Sequence, residues 1–296
     1  MANRRVLLKR RKAVRNIRKI TRTMQLIATA RFQAAMQRAT ASKPYTDKLG
    51  ELIGDLSRVA EDVDHPLLRQ PEKDTDSSNL ILTSDRGLCG GYNVQIMREA
   101  MVHLDTQAGA GAVQSICISG KKGINYFKFL GRSFHDQMTG IGDRPRFEDI
   151  VHIADDLMAK FKEGEITSAY VTYMKFHSMG RQSPEVMRLL PLSQEGLPGT
   201  GEGDEKESSA SVEYEFSPAP EQLLDELLPA AVRIRLYQCF LDSVVCEQIA
   251  RMVAMKAATD AAGDMIGTLT RQYNRARQTH ITMELLDIVG GANALA

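Results

Sequence analysis

Arg251-Met252-Val253-Ala254-Met255-Lys256-Ala257-Ala258-Thr259-Asp260, read on through Ala262, Ile266, Leu269, Tyr273 and Ala276, is the stretch that decides the fold. Met252, Met255, Thr259, Ala262, Ile266, Leu269, Tyr273 and Ala276 follow one another in strictly alternating steps of three and four. Such a seam predicts a helix wound left-handedly about a partner. The other end of the chain offers that partner. Ile17, Ile20, Met24 and Ile27 recur at helical spacing, and a second stripe follows at Leu49, Leu52, Leu56 and Val59. Pairing the two ends predicts a long antiparallel coiled coil. Ends spent on a rod suit a protein that spans a distance or transmits force better than one that encloses a small substrate.

Between the ends the hydrophobic period changes. Leu80–Thr83 and Val113–Ile118 are short apolar runs, each followed by glycines that open a helical pattern, the first through His103 and the second through Leu130. Phe147–Phe161 reads as a further helix. Ile166–Phe176 and Glu185–Leu192 are β-rich and pair across a turn at 178–183. Strands alternating with helices predict a mostly parallel sheet in an α/β layer, with a hairpin at its edge. The fold class expected is therefore α/β: a long antiparallel coiled coil from the N- and C-terminal helices, with a central Rossmann-like α/β domain. The domains expected are an N-terminal coiled-coil helix over 1–62, the α/β domain over 78–217, and a C-terminal coiled-coil helix over 218–296. Pro44 marks a bend in the first helix, and 64–78 reads as a polar linker. Residues 199–211 form an acidic, Gly- and Ser-rich insertion, and Val212–Phe216 reads as one more strand. Pro229 suits the first turn of the final helix. That helix is expected from about 230 to 289, about 90 Å, with Gly290-Gly291 ending it.

The net charge of +1 conceals an asymmetry: residues 1–46 carry thirteen Lys and Arg and no acid before Asp47. A basic helix of this kind meets nucleic acid, anionic lipid, an acidic protein surface or plain solvent. It lacks the interleaved aromatics that stack on bases. The basic stretch runs into the helical seam without a break, which reads against a cleaved organelle leader. No run of eighteen apolar residues is present, so no helix is expected to span a membrane. Cys89, Cys117, Cys239 and Cys246 show no CxxC pairing, and four reduced thiols are expected. The six histidines are scattered singly, without the spacing of a metal site.

Ser84-Asp85-Arg86-Gly87-Leu88-Cys89-Gly90-Gly91-Tyr92-Asn93 lies between a predicted strand and helix. It is either a structural turn or a backbone cradle for phosphate at a helix N-terminus. It matches neither GxxxxGK[ST] nor GxGxxG. Cys89 as a nucleophile would need a positioned base, and the nearest histidine in sequence, His103, is about a helix away. Near the end of the rod, Tyr273–Thr282 is polar for a coiled coil, either a tip in solvent or one gripped by a partner, with Arg277 able to donate two hydrogen bonds to a carboxylate.

These residues carry a resemblance. Lys19-Ile20-Thr21-Arg22-Thr23-Met24, the Ser84–Gly90 loop, the Arg251–Asp260 run, Tyr273-Asn274-Arg275-Ala276-Arg277-Gln278 with Ile281-Thr282, and Ile288-Val289-Gly290-Gly291 resemble, in order and spacing, the motifs of the gamma subunit of F-type ATP synthases. The resemblance spans nearly the whole chain. It implies a central rotor stalk, without catalytic, cofactor or metal site of its own, that couples ion flow through the membrane ring to ATP synthesis or hydrolysis. The implied partners are the alpha and beta subunits of the catalytic hexamer, the epsilon subunit and the ring of c subunits. The implied place is peripheral, at the cytoplasmic face of a bacterial inner membrane. The implied contact residues are Met24, Arg277, Gln278 and Thr282, with Leu285 and Ile288 in an apolar bearing. Gln25, Thr29, Ser217 and the insertion at 199–211 depart from the family's pattern. Two other readings compete: a coiled-coil adaptor that binds nucleic acid through its basic helix, and a nucleotide-binding enzyme using the Gly-rich loop.

Overall fold

The computed structural model describes residues 4–59, 65–71, 75–192 and 220–295. The insertion at 199–211, Ser217 and the strand expected at Val212–Phe216 lie outside the described residues. Two helices dominate: α1 runs Arg4–Val59 and α5 runs Pro220–Leu295. Between them come β1 (Asp76–Leu82), α2 (Tyr92–Gly109), β2 (Val113–Ser119), α3 (Lys121–Phe129), β3 (Asp136–Met138), α4 (Phe147–Lys162), β4 (Ser168–Ser178) and β5 (Arg181–Leu190). Contacts divide the chain into two compact units: Met1–Ala30 with Arg251–Ala296, and Arg31–Ala250.

In the first unit the α5 seam is as its spacing requires. Met255, Thr259, Ala262 and Leu269 are buried, and Met252, Ile266, Tyr273 and Ala276 half-buried. The helices run antiparallel: Thr259 donates to the Thr21 hydroxyl (2.8 Å), Gly263 faces the Arg18 guanidinium, and Arg11 lies 4.9 Å over the Tyr273 ring. The α1 face used here is not the expected one. Leu7, Arg11, Val14, Arg18, Thr21, Gln25 and Ala28 keep the alternating four-three spacing, with Leu7, Thr21 and Ala28 buried. Ile17, Ile20 and Ile27 are exposed, and Met24 is half-buried. Small and polar side chains let the backbones approach, so the bulky isoleucines are left on the outside. Looking for large apolar residues therefore selects the wrong stripe.

The second unit contains a five-stranded sheet in the order β3-β2-β1-β4-β5. β1 pairs parallel with β2 and β4, β2 parallel with β3, and β4 antiparallel with β5, giving the expected parallel sheet with an edge hairpin. The three-residue β3 was not expected, being too short to carry a period. One face packs Ile81 and Ile118 against Ile96 and Ala100 of α2 and Phe127 of α3. The other packs Leu80, Leu82 and Val171 against Ile150, Ala154 and Leu157 of α4 and Leu228, Val232 and Leu236 of α5. Ala35 and Ala39 of α1 meet Leu241, Val244 and Val245 of α5. The stretch expected as a linker is partly core: Leu67 is fully buried, and its carbonyl accepts the Leu192 amide (2.9 Å). Pro229 lies inside α5 and does not start it, and α5 continues through Gly290-Gly291. Glycine lowers helix propensity by about 1 kcal/mol without forbidding the helix.

Candidate functional site

The Ser84–Asn93 loop is knotted by its own side chains. Asn93 Oδ1 accepts the Ser84 amide (3.0 Å), and Asn93 Nδ2 donates to Ser84 Oγ (2.8 Å) and Cys89 Sγ (3.2 Å). Ser84 Oγ donates to the Arg86 carbonyl (2.7 Å). The Asp85 carboxylate accepts the Lys121 amide (3.1 Å), so an acid of this loop caps the start of α3. Leu88 has φ of 65° and is exposed, while Cys89 beside it is buried.

The crevice at the carboxyl ends of the strands is where an open α/β sheet binds ligands. Here α5 fills it. Phe240, Ser243, Val244 and Glu247 line it with Thr83, Asp85 and Gly120, and the remaining cavity is about 40 Å³. The buried Tyr92 hydroxyl donates to the Ser243 carbonyl (3.2 Å), and burial pushes its pKa well up. Sites for small ligands run to about 300–1,000 Å³, so this crevice has no room for a nucleotide. The loop is a structural turn that seats α5.

The tip is built differently. Beyond Ala276 every described residue of α5 through Asn293 is exposed. Arg277, Gln278 and Thr282 are all in this segment, and the Thr282 hydroxyl donates back to the Gln278 carbonyl (3.0 Å). Leu285, Leu286, Ile288 and Val289 are 50–71% exposed. His280 is exposed and 3.1 Å from Glu284. Large apolar side chains thus stand uncovered along the end of this helix. Four of the six expected contact residues, Arg277, Gln278, Thr282 and Leu285, thus fall on adjoining turns with Ile288 one step on; Met24 sits apart on α1. The sequence reading named Ile17, Ile20 and Ile27 for their bulk at seam-like spacing but placed them in the seam, whereas they face outward.

The cations of α1 surround that stripe. Arg4 and Arg5 occupy the first turn, where no acid is present. Positive charge at a helix N-terminus opposes the macrodipole, so helix stability does not account for it. Elsewhere, His135 and His152 share a groove of about 570 Å³ with Cys117, Asp136, Asp156 and Lys160, between β2, β3 and α4. Burial pushes the Cys117 thiol up to about 12. Among the described residues no three His, Cys, Asp or Glu side chains are placed to hold a metal ion. Sequence spacing could not place these two histidines on one groove, because the β3–α4 connection does so.

Comparison with known proteins agrees with this arrangement. The ATP synthase family model matches residues 3–295. An ATP synthase gamma chain of Rhodopirellula baltica is 44% identical over 295 residues, covering 100% of this chain and 99% of its own. The chain belongs to the ATP synthase gamma-chain family. A gamma chain of Leptospira biflexa is 38% identical with full coverage of both chains. The fold is shared with a chain of the Euglena gracilis mitochondrial ATP synthase (TM-score 0.64, 15% identity, 99% of this chain and 94% of that one). It is shared also with a chain of the Tetrahymena thermophila central stalk and c-ring structure (TM-score 0.59, 20% identity, 81% and 99%).

Proposed function

We propose that this chain is the central rotor stalk of a rotary ATP synthase, coupling rotation of a membrane ring to ATP synthesis or hydrolysis in a hexamer of alpha and beta subunits. The observation that carries the reading is the unpartnered, apolar-and-polar tip of α5 beyond Ala276. The subunit itself does no chemistry and moves between catalytic sites held by its partners. Arg277, Gln278 and Thr282 grip the catalytic subunits, Leu285 and Ile288 turn in an apolar bearing, and Met24 contacts the hexamer from α1. The α/β unit meets the epsilon subunit and the c ring. The complex is peripheral at the cytoplasmic face of a bacterial inner membrane; among the described residues no helix is long and apolar enough to cross one. The cations of α1 are interleaved with exposed isoleucines, which suits an acidic protein surface better than a nucleic-acid backbone.

The test is Arg277→Ala with Gln278→Ala in the assembled complex. Both residues are exposed in the free chain, so its folding is unchanged. A lost charge-assisted hydrogen bond at the limiting step is worth about 1.5–3 kcal/mol, and the ATPase rate should fall roughly tenfold to a hundredfold. Normal rate with normal assembly would refute the grip.

A further inference from the structure

One carboxylate in the Arg31–Ala250 unit ties together segments far apart in sequence. Asp143 lies in the loop between β3 and α4, just after Gly140 and Gly142, whose φ values of 91° and 58° turn the chain there. The loop is itself held down. Ile141 packs on the core beneath the sheet, and the Gly140 amide donates to Asp85 Oδ2 (3.4 Å). From this base Asp143 reaches both long helices. Its Oδ2 accepts a hydrogen bond from Arg31 Nη1 of α1. Its Oδ1 accepts one from Gln248 Nε2 of α5 (2.8 Å). Arg86 Nη1, in the Ser84–Asn93 loop, stands 4.0 Å from Oδ2.

The surroundings make these bonds directional rather than incidental. Gln248 is fully buried, so its amide is held away from water, and the Asp143 side chain is only 23% exposed. Around it, α1 and α5 meet through Ala35, Ala39, Val244 and Val245. Apolar packing of small side chains resists separation but is non-directional, so it resists sliding weakly. A charged, two-sided hydrogen-bonding group fixes register as well as distance.

Resting on the rotor reading above, we propose that Asp143 is a positioning residue for torque: its carboxylate locks α1 and α5 in angular register with the α/β layer, so that rotation of one passes to the other without slip. Arg31 and Gln248 are its two arms, and Arg86 sets the charge balance at the shared oxygen.

The experiment uses the assembled complex, with a bead attached through Phe129→Cys, a position 86% exposed. With the hexamer stalled, the angular variance of the bead reports torsional stiffness. ATP-driven ion pumping per ATP hydrolysed reports transmission under load. Asp143→Ala should raise the variance about twofold and lower pumping per ATP about threefold, at unchanged unloaded ATPase rate, because only the directional bonds are lost. Asp143→Glu should restore most of both. A residue that merely supported folding would lower assembly and rate together and leave variance per assembled complex alone. If Asp143→Ala fails to assemble, Arg31→Gln removes the partly exposed arm and should widen the variance by itself. Wild-type variance and pumping in assembled Asp143→Ala, or in Arg31→Gln where that variant decides, would overturn the proposal. A wild-type complex that never turns the bead would overturn the rotor reading instead.

Discussion

Replacing Ala28 by Leu and, separately, Ile20 by Ala tests which face of α1 meets α5. Ala28 is 1% exposed, on the alternating seam that includes Leu7, Thr21 and Gln25. Adding three carbons to a packed position costs about 1–3 kcal/mol. Ile20 is 58% exposed, so its truncation removes little internal contact and should cost the free chain no more than about 0.5 kcal/mol. For a chain of this size each kcal/mol moves the melting temperature about 2–4 °C. Ala28→Leu should therefore melt about 2–12 °C lower in the coiled coil, and Ile20→Ala within about 2 °C of wild type. Thermal denaturation of the free chain, followed by far-ultraviolet circular dichroism, separates them. The same pair should reverse order in binding. An isoleucine buried by a partner contributes about 1.5 kcal/mol, so Ile20→Ala should weaken assembly about tenfold. If Ile20→Ala lowered the melting temperature as much as Ala28→Leu, Ile20 would have to pack on α5 and the seam described here would be wrong.

Three further outcomes follow from local geometry. Gly120 has φ of 100°, and a Cβ there would sit 2.1 Å from the Thr83 carbonyl oxygen, so Gly120→Ala should cost at least about 3 kcal/mol in chemical denaturation. Gly131→Ala, at φ of 68° with open space, should cost about 1 kcal/mol, and equal losses would sink the argument from close approach. Buried His65 accepts the Leu67 amide on Nδ1 (3.1 Å), and burial lowers its pKa below the ordinary 6.5 despite Asp225 nearby. Its contribution to stability is thus fully present above pH 6.5 and is lost as pH falls through the lower folded value; His65→Gln should flatten that part of the stability–pH curve, and an unchanged slope would assign it to other groups. Cys117, with its pKa pushed up to about 12, should alkylate far more slowly at neutral pH than a free cysteine, and fast labelling would show the thiol to be unperturbed.

How much was legible in the sequence depended on how each residue type earns its place. The α5 seam was readable to its last member, Ala276, because Met, Ile, Leu and Tyr mark it strongly. The α1 seam was not, because Thr21, Gln25, Ala28 and two arginines carry no apolar signal, while the isoleucines that do carry one face outward. The parallel strands were visible as unbroken apolar runs, since both their faces are covered. β3 was invisible at three residues, and its consequence, the groove that His135 and His152 both line, was invisible with it. The Ser84–Asn93 loop could be read as either a turn or a phosphate cradle. What decides between them is α5 lying in the crevice, where Tyr92 meets Ser243 across a stretch of chain that no local pattern encodes. The helix ends were misjudged at Pro229 and at Gly290-Gly291 because residue propensities are weak against packing or simple continuation.

The dependence of the sheet on α5 has a consequence for how the chain is made. Leu224, Leu228, Val232, Leu236 and Phe240 complete the core under β1 and β4, and they are synthesised after every strand they cover. Until they leave the ribosome, Leu80, Val171 and Leu189 stand on an apolar surface that α4 covers only in part, in a sheet whose parallel pairs, β1 with β2 and β1 with β4, join segments distant in sequence and slow to close. A nascent chain in this state is a substrate for chaperones and a hazard for aggregation. The same arrangement is a check on completeness: a product truncated before residue 224 leaves uncovered the part of its sheet that α5 would have packed on, and quality control can recognise it by that surface.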